Sequence, residues 1–411
     1  MQTRLAEEFR DTPAGREAGD ILRACVHCGF CTATCPTYQL TGDERDGPRG
    51  RIYLIKQMLE GATPTATTRH HLDRCLGCRS CETTCPSGVR YGRLADIGRA
   101  VVEQRVPRTG IDRLSRALLA AVLPRPALFA ALLGAGRALR PLLPRALAAK
   151  VPPARPAGPR PAPRHARRML VLEGCVQPAI APGINAAATR VLDRLGVSLV
   201  IAPAAGCCGA VTHHLSREEA ALAAMRRNVD AWWAQIEAGV EAIVVTASGC
   251  GAMVKEYGHL LAADPAYAAR AARVSELARD LSEVVASELD RAAPALPRLV
   301  GTDAPVAFHA PCTLQHALRL RGGVEGLLAR LGFTLTEVRD AHLCCGSAGT
   351  YSLLQPRMSS RLLDDKLATL TAGAPERILT ANIGCLGHLQ SGTALTVEHW
   401  IEAVDRHWPA D

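Results

Sequence analysis

The chain has 411 residues, 48% hydrophobic but only 4% aromatic, with sixteen cysteines and a formal net charge of +9. That length bounds two to three domains, with cores built from Ala, Leu and Val. The charge does not describe a general nucleic-acid binder, because fourteen Lys/Arg against the single acid Asp112 lie between Arg105 and Arg168, leaving the rest net negative.

Residues 1–20 are polar and lack the apolar run of a signal peptide, so they read as a loose lead-in to a cytoplasmic chain. The first motif follows as Cys25, Cys28, Cys31 and Cys35 with Pro36. It recurs fifty residues later as Cys75, Cys78, Cys81 and Cys85 with Pro86. Each is a complete C-x2-C-x2-C-x3-C-P run, in which three close thiolates hold one [4Fe-4S] cube and the fourth reaches the other cluster. The expected ligand sets are therefore Cys25, Cys28, Cys31 with Cys85, and Cys75, Cys78, Cys81 with Cys35, for two clusters. Structural zinc would leave the third closely spaced cysteine and the Pro-terminated fourth unexplained. A disulfide framework fits poorly with a long chain lacking a secretion signal.

Between the motifs, Thr41–Pro48 is a breaker-rich loop and Ile52–Glu60 has the apolar spacing of a connecting helix. A connector this long predicts that helices, not a small sheet, frame the clusters. Arg49, Arg51, Arg74 and Arg79 lie near the thiolates, where they either offset cluster charge or are simply solvated.

From 107 to 168 the composition changes. Leu114–Ala149 is rich in Ala, Leu and Arg, interrupted by Pro124, Pro126, Pro141 and Pro144, and a Pro/Arg tract from Pro152 to Arg168 reads as a linker. No apolar run is long enough to span a bilayer. The segment suits either peripheral contact with an anionic membrane face, which would be the cytoplasmic face of the inner membrane, or helical packing ahead of the linker.

A larger duplication follows. Met169–Cys175, Val197–Ala202 before Cys207-Cys208-Gly209, and Ala242–Cys250 form one succession. Val306–Cys312, Phe333–Val338 before Cys344-Cys345-Gly346, and Arg377–Cys385 repeat it. The cysteines are offset by 137, 137 and 135 residues. Helical patterns at Ile184–Gly196, Arg217–Glu237, Thr313–Leu331 and Gln355–Leu370 intervene, so each copy reads as an α/β module with a largely parallel sheet. Cysteines just after strands would gather at the carboxyl edge, where sites assemble in such sheets. The competing reading is four small buried hydrophobes per copy.

These paired C-x31-C-C-G patterns, each closed by a further cysteine, resemble the cysteine-rich CCG domain. It is shared by heterodisulfide reductases, the third subunit of anaerobic glycerol-3-phosphate dehydrogenase, lactate-utilisation proteins and glycolate oxidase iron-sulfur subunits. With two ferredoxin motifs in front, the chain most resembles the last group, through Arg51–Gln57, His71–Cys75 with Arg79–Gly88, Cys344–Tyr351 and Thr380–Cys385. The chain departs from the heterodisulfide reductase pattern where a final cysteine would stand, at Met253 and His388, so the unusual clusters of that group do not carry over. The second set could still take zinc or an iron-sulfur centre with His388 as an added ligand. Candidate metal ligands are thus Cys175, Cys207, Cys208 and Cys250 in the first copy, and Cys312, Cys344, Cys345, Cys385 and His388 in the second.

The expected architecture is an all-α ferredoxin-like domain (1–106), a basic helical segment and linker (107–168), and two CCG modules (169–300 and 301–411). The resemblance implies the electron-transfer subunit of a glycolate oxidase or dehydrogenase. Flavin-containing partner subunits would oxidise glycolate to glyoxylate and a quinone or other acceptor would receive the electrons, with no catalytic residue on this chain. No nucleotide-binding glycine motif is present. A glycerol-3-phosphate or lactate dehydrogenase subunit, or a heterodisulfide-reductase-like enzyme, is the alternative.

Overall fold

A computed structural model describes residues 1–144, 148, 151–292 and 299–409. Parts of two expected stretches, the end of Leu114–Ala149 and 293–298 just before the expected boundary at 300, lie outside the described residues.

The front of the chain is helical. Residues 1–20 are more than a lead-in: Thr12 caps a helix over Pro13–Ala24 by accepting from the Gly15 N–H, and Pro13 supplies the fixed φ suited to a first helical position. The Met1 ammonium donates to the Cys25 carbonyl at 2.7 Å, pinning the terminus against the first motif. Helices Pro48–Leu59, Ala66–Asp73 and Tyr91–Arg105 complete the frame. They bury Leu22, Ile55, Met58, Leu59, Leu72 and Leu94 in one core. The cysteine loops run along its edge.

Among its described residues the basic segment has two α-helices, Gly110–Val122 and Pro126–Leu139, neither of which buries a residue, and a 3-10 turn at Arg140–Leu142. Pro124 and Pro126 break the chain between them, and the pair bends by 109°. No single helix among the described residues is long and apolar enough to cross a membrane.

The rear half is duplicated α/β. Strands β1 (Arg168–Val171), β2 (Ser198–Ile201), β3 (Ile243–Val245) and β4 (Ala278–Asp280) form a parallel sheet in the order β2-β1-β3-β4. In the second copy β5 (Val306–His309), β6 (Arg377–Thr380) and β7 (Thr396–His399) lie side by side, also parallel. The expected strand Phe333–Val338 is reduced to one bridge, Leu335 to Val306, which occupies the place of β2. The strand order is therefore the same in both copies.

Helices cover both faces, so the strands are continuously apolar. Met169 and Val171 face one cluster and Leu170 and Leu172 another, as the two-residue pleat requires. The first cluster does not stop at the copy boundary: Val171, Leu199 and Val244 share it with Phe308, Ile378, Val397 and Trp400. Arg190 Nη2 reaches Asp405 Oδ2 at 2.6 Å across the same boundary, and His399 Nε2 lies 2.9 Å from the Thr246 carbonyl. The two modules form one packed body.

The strands end earlier than the apolar runs suggest. β3 stops at Val245 and β6 at Thr380, so Cys250 and Cys385 each stand third in the helix that follows, Ser248–Lys255 or Ile383–Gln390. The expected helix Thr313–Leu331 is divided into a π-helical turn, Thr313–Ala317, and a helix, Gly323–Arg330, with Gly322 between them at φ 76°.

Candidate functional site

Cys25, Cys28, Cys31 and Cys85 line one open cavity, which Cys81 of the other set also borders, together with Val26, His27, Phe30 and Arg49. Burial pushes the Cys31 thiol up to about 11, and Cys25, Cys85 and Cys28 add to the effect as neighbouring negative charges. The fourth cysteine of the second motif thus stands with the first three of the first motif. Cys28 is exposed, and Val26 and Phe30 beside it are 67% and 61% exposed.

The complementary set lies deeper. Burial raises Cys81 well above the ordinary thiol range, with Cys78, Cys75 and Cys35 as the charged neighbours. Two donors aim at Cys75 Sγ: the Gly77 N–H at 3.4 Å and the Tyr91 hydroxyl at 3.6 Å. Four soft donors around one point, approached by N–H and O–H groups, suit the anionic sulfur of an iron-sulfur cluster.

A buried ionic network braces this second set. Asp46 is wholly buried; its Oδ1 is 2.8 Å from His71 Nδ1 and 3.6 Å from Arg51 Nη2, and its Oδ2 accepts from Arg74 Nη1 at 2.7 Å. Arg51 also donates to the His71 carbonyl at 2.7 Å and to Thr37 Oγ1 at 3.2 Å, and Thr37 in turn sits 3.3 Å from Cys35 Sγ. Burial opposes the Arg51 charge, but nearby Cys75, Tyr91, Cys35 and Asp46 more than offset it and hold the guanidinium ionised. Of the four arginines near the motifs only Arg51 is buried; Arg49 pairs with Glu44 and Arg79 with Glu256.

The rear cysteines also assemble. In the first copy Cys175, Cys207, Cys208 and Cys250 are in hydrogen-bond contact in series. Cys207 accepts from Cys175 and Cys208 and from the Gly209 N–H, which lowers its thiol below the ordinary range while Cys175 and Cys208 are raised. In the second copy the series runs Cys312, Cys344, Cys345, Cys385. Gly209 and Gly346 have φ of 91° and 90°, and a Cβ on Gly346 would stand 2.7 Å from the Ser359 carbonyl.

Cys312 is additionally in hydrogen-bond contact with Cys78, so the second copy's thiols are continuous with a ferredoxin-motif cysteine. Tyr351 of the second copy donates to the Arg74 carbonyl at 3.1 Å across the same seam. Thr83 Oγ1 meets His316 Nδ1 at 2.9 Å, and Arg79 pairs with Glu256 at 2.8 Å. The largest influences on Cys175, Cys207 and Cys208 of the first copy come from that copy's own residues.

His388 Nε2 lies 3.1 Å from Ser359 Oγ, whose hydroxyl donates to the Gly346 carbonyl at 2.8 Å. The imidazole N–H is therefore the donor to Ser359, and this ring braces the Cys-Cys-Gly turn. A different histidine stands with the thiols: a ring nitrogen of His309 and the Sγ atoms of Cys345 and Cys385 all lie within 4.8 Å of one another. Burial lowers His309 to about 3, so it is a neutral imidazole. Sequence reasoning passed over it as part of an apolar strand.

Known protein families match the front and rear cysteine regions separately. Residues 21–89 match the 4Fe-4S dicluster domain family, and residues 169–255 and 306–390 match the cysteine-rich domain family. The chain is 59% identical to the glycolate oxidase iron-sulfur subunit of Escherichia coli (strain K12), with 99% of each chain covered. It is 31% identical to a probable glycolate oxidase iron-sulfur subunit of Bacillus subtilis (strain 168), covering 94% of this chain and 92% of the relative. Lactate utilization protein A of Bacillus cytotoxicus is 26% identical over 52% of this chain and 85% of its own length.

Proposed function

Because the chain belongs to the family of glycolate oxidase iron-sulfur subunits, we propose that it serves such an enzyme as its electron-transfer subunit. It takes electrons from a flavin-containing partner that oxidises glycolate to glyoxylate and passes them to a quinone or another acceptor. The observation that carries the reading is the pairing of two four-cysteine sets in the front domain with relatives of that name along the whole chain. When bound, [4Fe-4S] clusters exchange single electrons with little rearrangement.

In this reading the chain binds two clusters, one held by Cys25, Cys28, Cys31 and Cys85 and one by Cys75, Cys78, Cys81 and Cys35. The exposed Val26, Cys28 and Phe30 mark the face offered to the flavin partner, because an electron donor must approach a cluster closely and this is the set nearest the surface. Arg51 and Tyr91 hold the deeper set in place and keep water from it. The rear cysteines Cys175, Cys207, Cys208, Cys250, Cys312, Cys344, Cys345 and Cys385 bind zinc or iron-sulfur. The units are 1–106, 107–168, 169–300 and 301–411.

Anaerobic copurification with native partners, followed by glycolate addition, tests the role. Glycolate should bleach the visible absorption and bring up reduced-cluster electron paramagnetic resonance signals, while glycerol 3-phosphate should not. Flavin reduced by glycolate beside clusters that stay oxidised would sink the electron-transfer role.

Peripheral membrane contact through 107–168 belongs to the same proposal. The bent helix pair exposes Ile111, Leu114, Leu118, Leu132 and Leu139 with arginines interspersed, the composition of a segment resting on an anionic bilayer. The protein should sediment with anionic vesicles and lose that association on Leu114→Ser with Leu118→Ser. A wild-type protein that stays in the supernatant at low salt removes the membrane from the account.

A further inference from the structure

We propose that His309 Nε2 is a metal ligand in the second copy, making its site a mixed imidazole and thiolate centre for zinc or iron, whereas the first copy's site is thiolate alone. The inference rests on the reading that the second cysteine set binds a metal.

Three observations converge on His309. Its ring lies within ligand reach of Cys345 and Cys385, and all three residues are buried. Its Nε2 is buried with no hydrogen-bond partner. A buried ring nitrogen without a partner is destabilising unless something satisfies it. Its other nitrogen is spoken for: Nδ1 lies 3.1 Å from Thr380 Oγ1, and the Thr380 hydroxyl donates to the His309 carbonyl at 3.1 Å.

The Thr380 proton being committed, its oxygen accepts from Nδ1–H. That fixes the tautomer with a free lone pair on Nε2, the form a metal requires, and orients the ring from the neighbouring strand, as outer hydrogen bonds do for ligating histidines. Thr380 is the in-register partner of His309 across β5 and β6, so the arrangement is built into the sheet.

The duplication makes the point sharper. His309 stands three residues before Cys312, and the corresponding residue three before Cys175 is Leu172, which is buried in an apolar cluster. A strand position that is leucine in one copy has no packing need for imidazole in the other. Around tetrahedral zinc, bond lengths of about 2.0–2.3 Å put ligand atoms about 3.3–3.8 Å apart, so the three atoms need to draw in by only about 1 Å. Imidazole with thiolate suits zinc and iron alike. His388, by contrast, uses its Nε2–H on Ser359 and is not needed as the nitrogen donor.

The test is metal analysis of the full chain purified anaerobically with its partners, in wild type and in Cys345→Ser, His309→Leu, His309→Cys and His388→Gln forms. Cys345→Ser and His309→Leu should lose the same increment of zinc or iron while the ferredoxin-motif clusters keep their spectra. His309→Cys should keep the metal but exchange a nitrogen scatterer at about 2.0–2.1 Å for sulfur at about 2.3 Å in X-ray absorption. If the metal is iron, loss of a nitrogen coupling in pulsed electron paramagnetic resonance replaces that readout. His388→Gln should leave metal and nitrogen signature as in wild type.

Full metal content with an unchanged nitrogen signature in His309→Leu or His309→Cys, when Cys345→Ser loses metal, overturns the His309 assignment but leaves the site. Full metal in Cys345→Ser as well overturns both. Should His309→Leu fail to fold, a folded His309→Cys with its nitrogen shell intact still overturns the assignment.

Discussion

Cys78→Ser is expected to stop electron delivery to the acceptor while glycolate still reduces the flavin of the partner subunit. Cys78 stands with Cys75, Cys81 and Cys35 around the deeper site and is also the thiol that touches Cys312 of the second module. A serine oxygen is a far poorer ligand for a soft iron-sulfur centre than a thiolate. Iron should fall by about four atoms per chain. Acceptor reduction at the wild-type rate in a protein shown to have lost that iron would take the deeper set off the path. Retained iron with lost transfer would instead assign Cys78 a role at the seam with Cys312.

Asp46→Asn should cost the largest share of stability of any single charge removal in the front domain. The carboxylate is wholly buried and faces His71, Arg74 and Arg51, and Arg51 is itself 1% exposed. Taking away one partner of such a group leaves the others as uncompensated buried charge, a loss of about 3–5 kcal/mol. The Asp46 carbonyl also accepts from Thr37, which sits against Cys35 Sγ, so cluster retention should suffer together with the thermal midpoint. Combining Asp46→Asn with Arg51→Met should cost less than the sum of the two, because the second change removes a charge the first has stranded. An unchanged midpoint in Asp46→Asn would show that the network contributes nothing net.

Local spacing was legible; long-range contact was not. The two C-x2-C-x2-C-x3-C-P runs declare their chemistry within a dozen residues each, and the offsets from Cys175 to Cys312 and from Cys207 to Cys344 expose the duplication without any structure. The fourth strands, Ala278–Asp280 and Thr396–His399, went unread because three or four residues carry too little alternation to stand out. The expected strand at Phe333–Val338 keeps a single bridge. Cys78 and Cys312 are 234 positions apart, and nothing in either neighbourhood announces the other. His309 did leave a trace, a polar residue where the first copy has Leu172, but apolar strand patterning drew attention away from it. Asp46 was hidden in the same manner, inside Thr41–Pro48, a stretch that reads as an ordinary loop.

The core shared by the two copies sets the order in which the chain can become stable. Helix Gly183–Arg194 of the first copy has its apolar and ionic partners on helix Trp400–His407, through Arg190 and Arg194 to Asp405. During synthesis more than two hundred residues therefore emerge between one half of that contact and the other. The front domain closes its own core without them and can receive iron early, whereas Cys345 and Cys385 of the second module share the core that the last helix completes and gain their final enclosure only when that helix has left the ribosome.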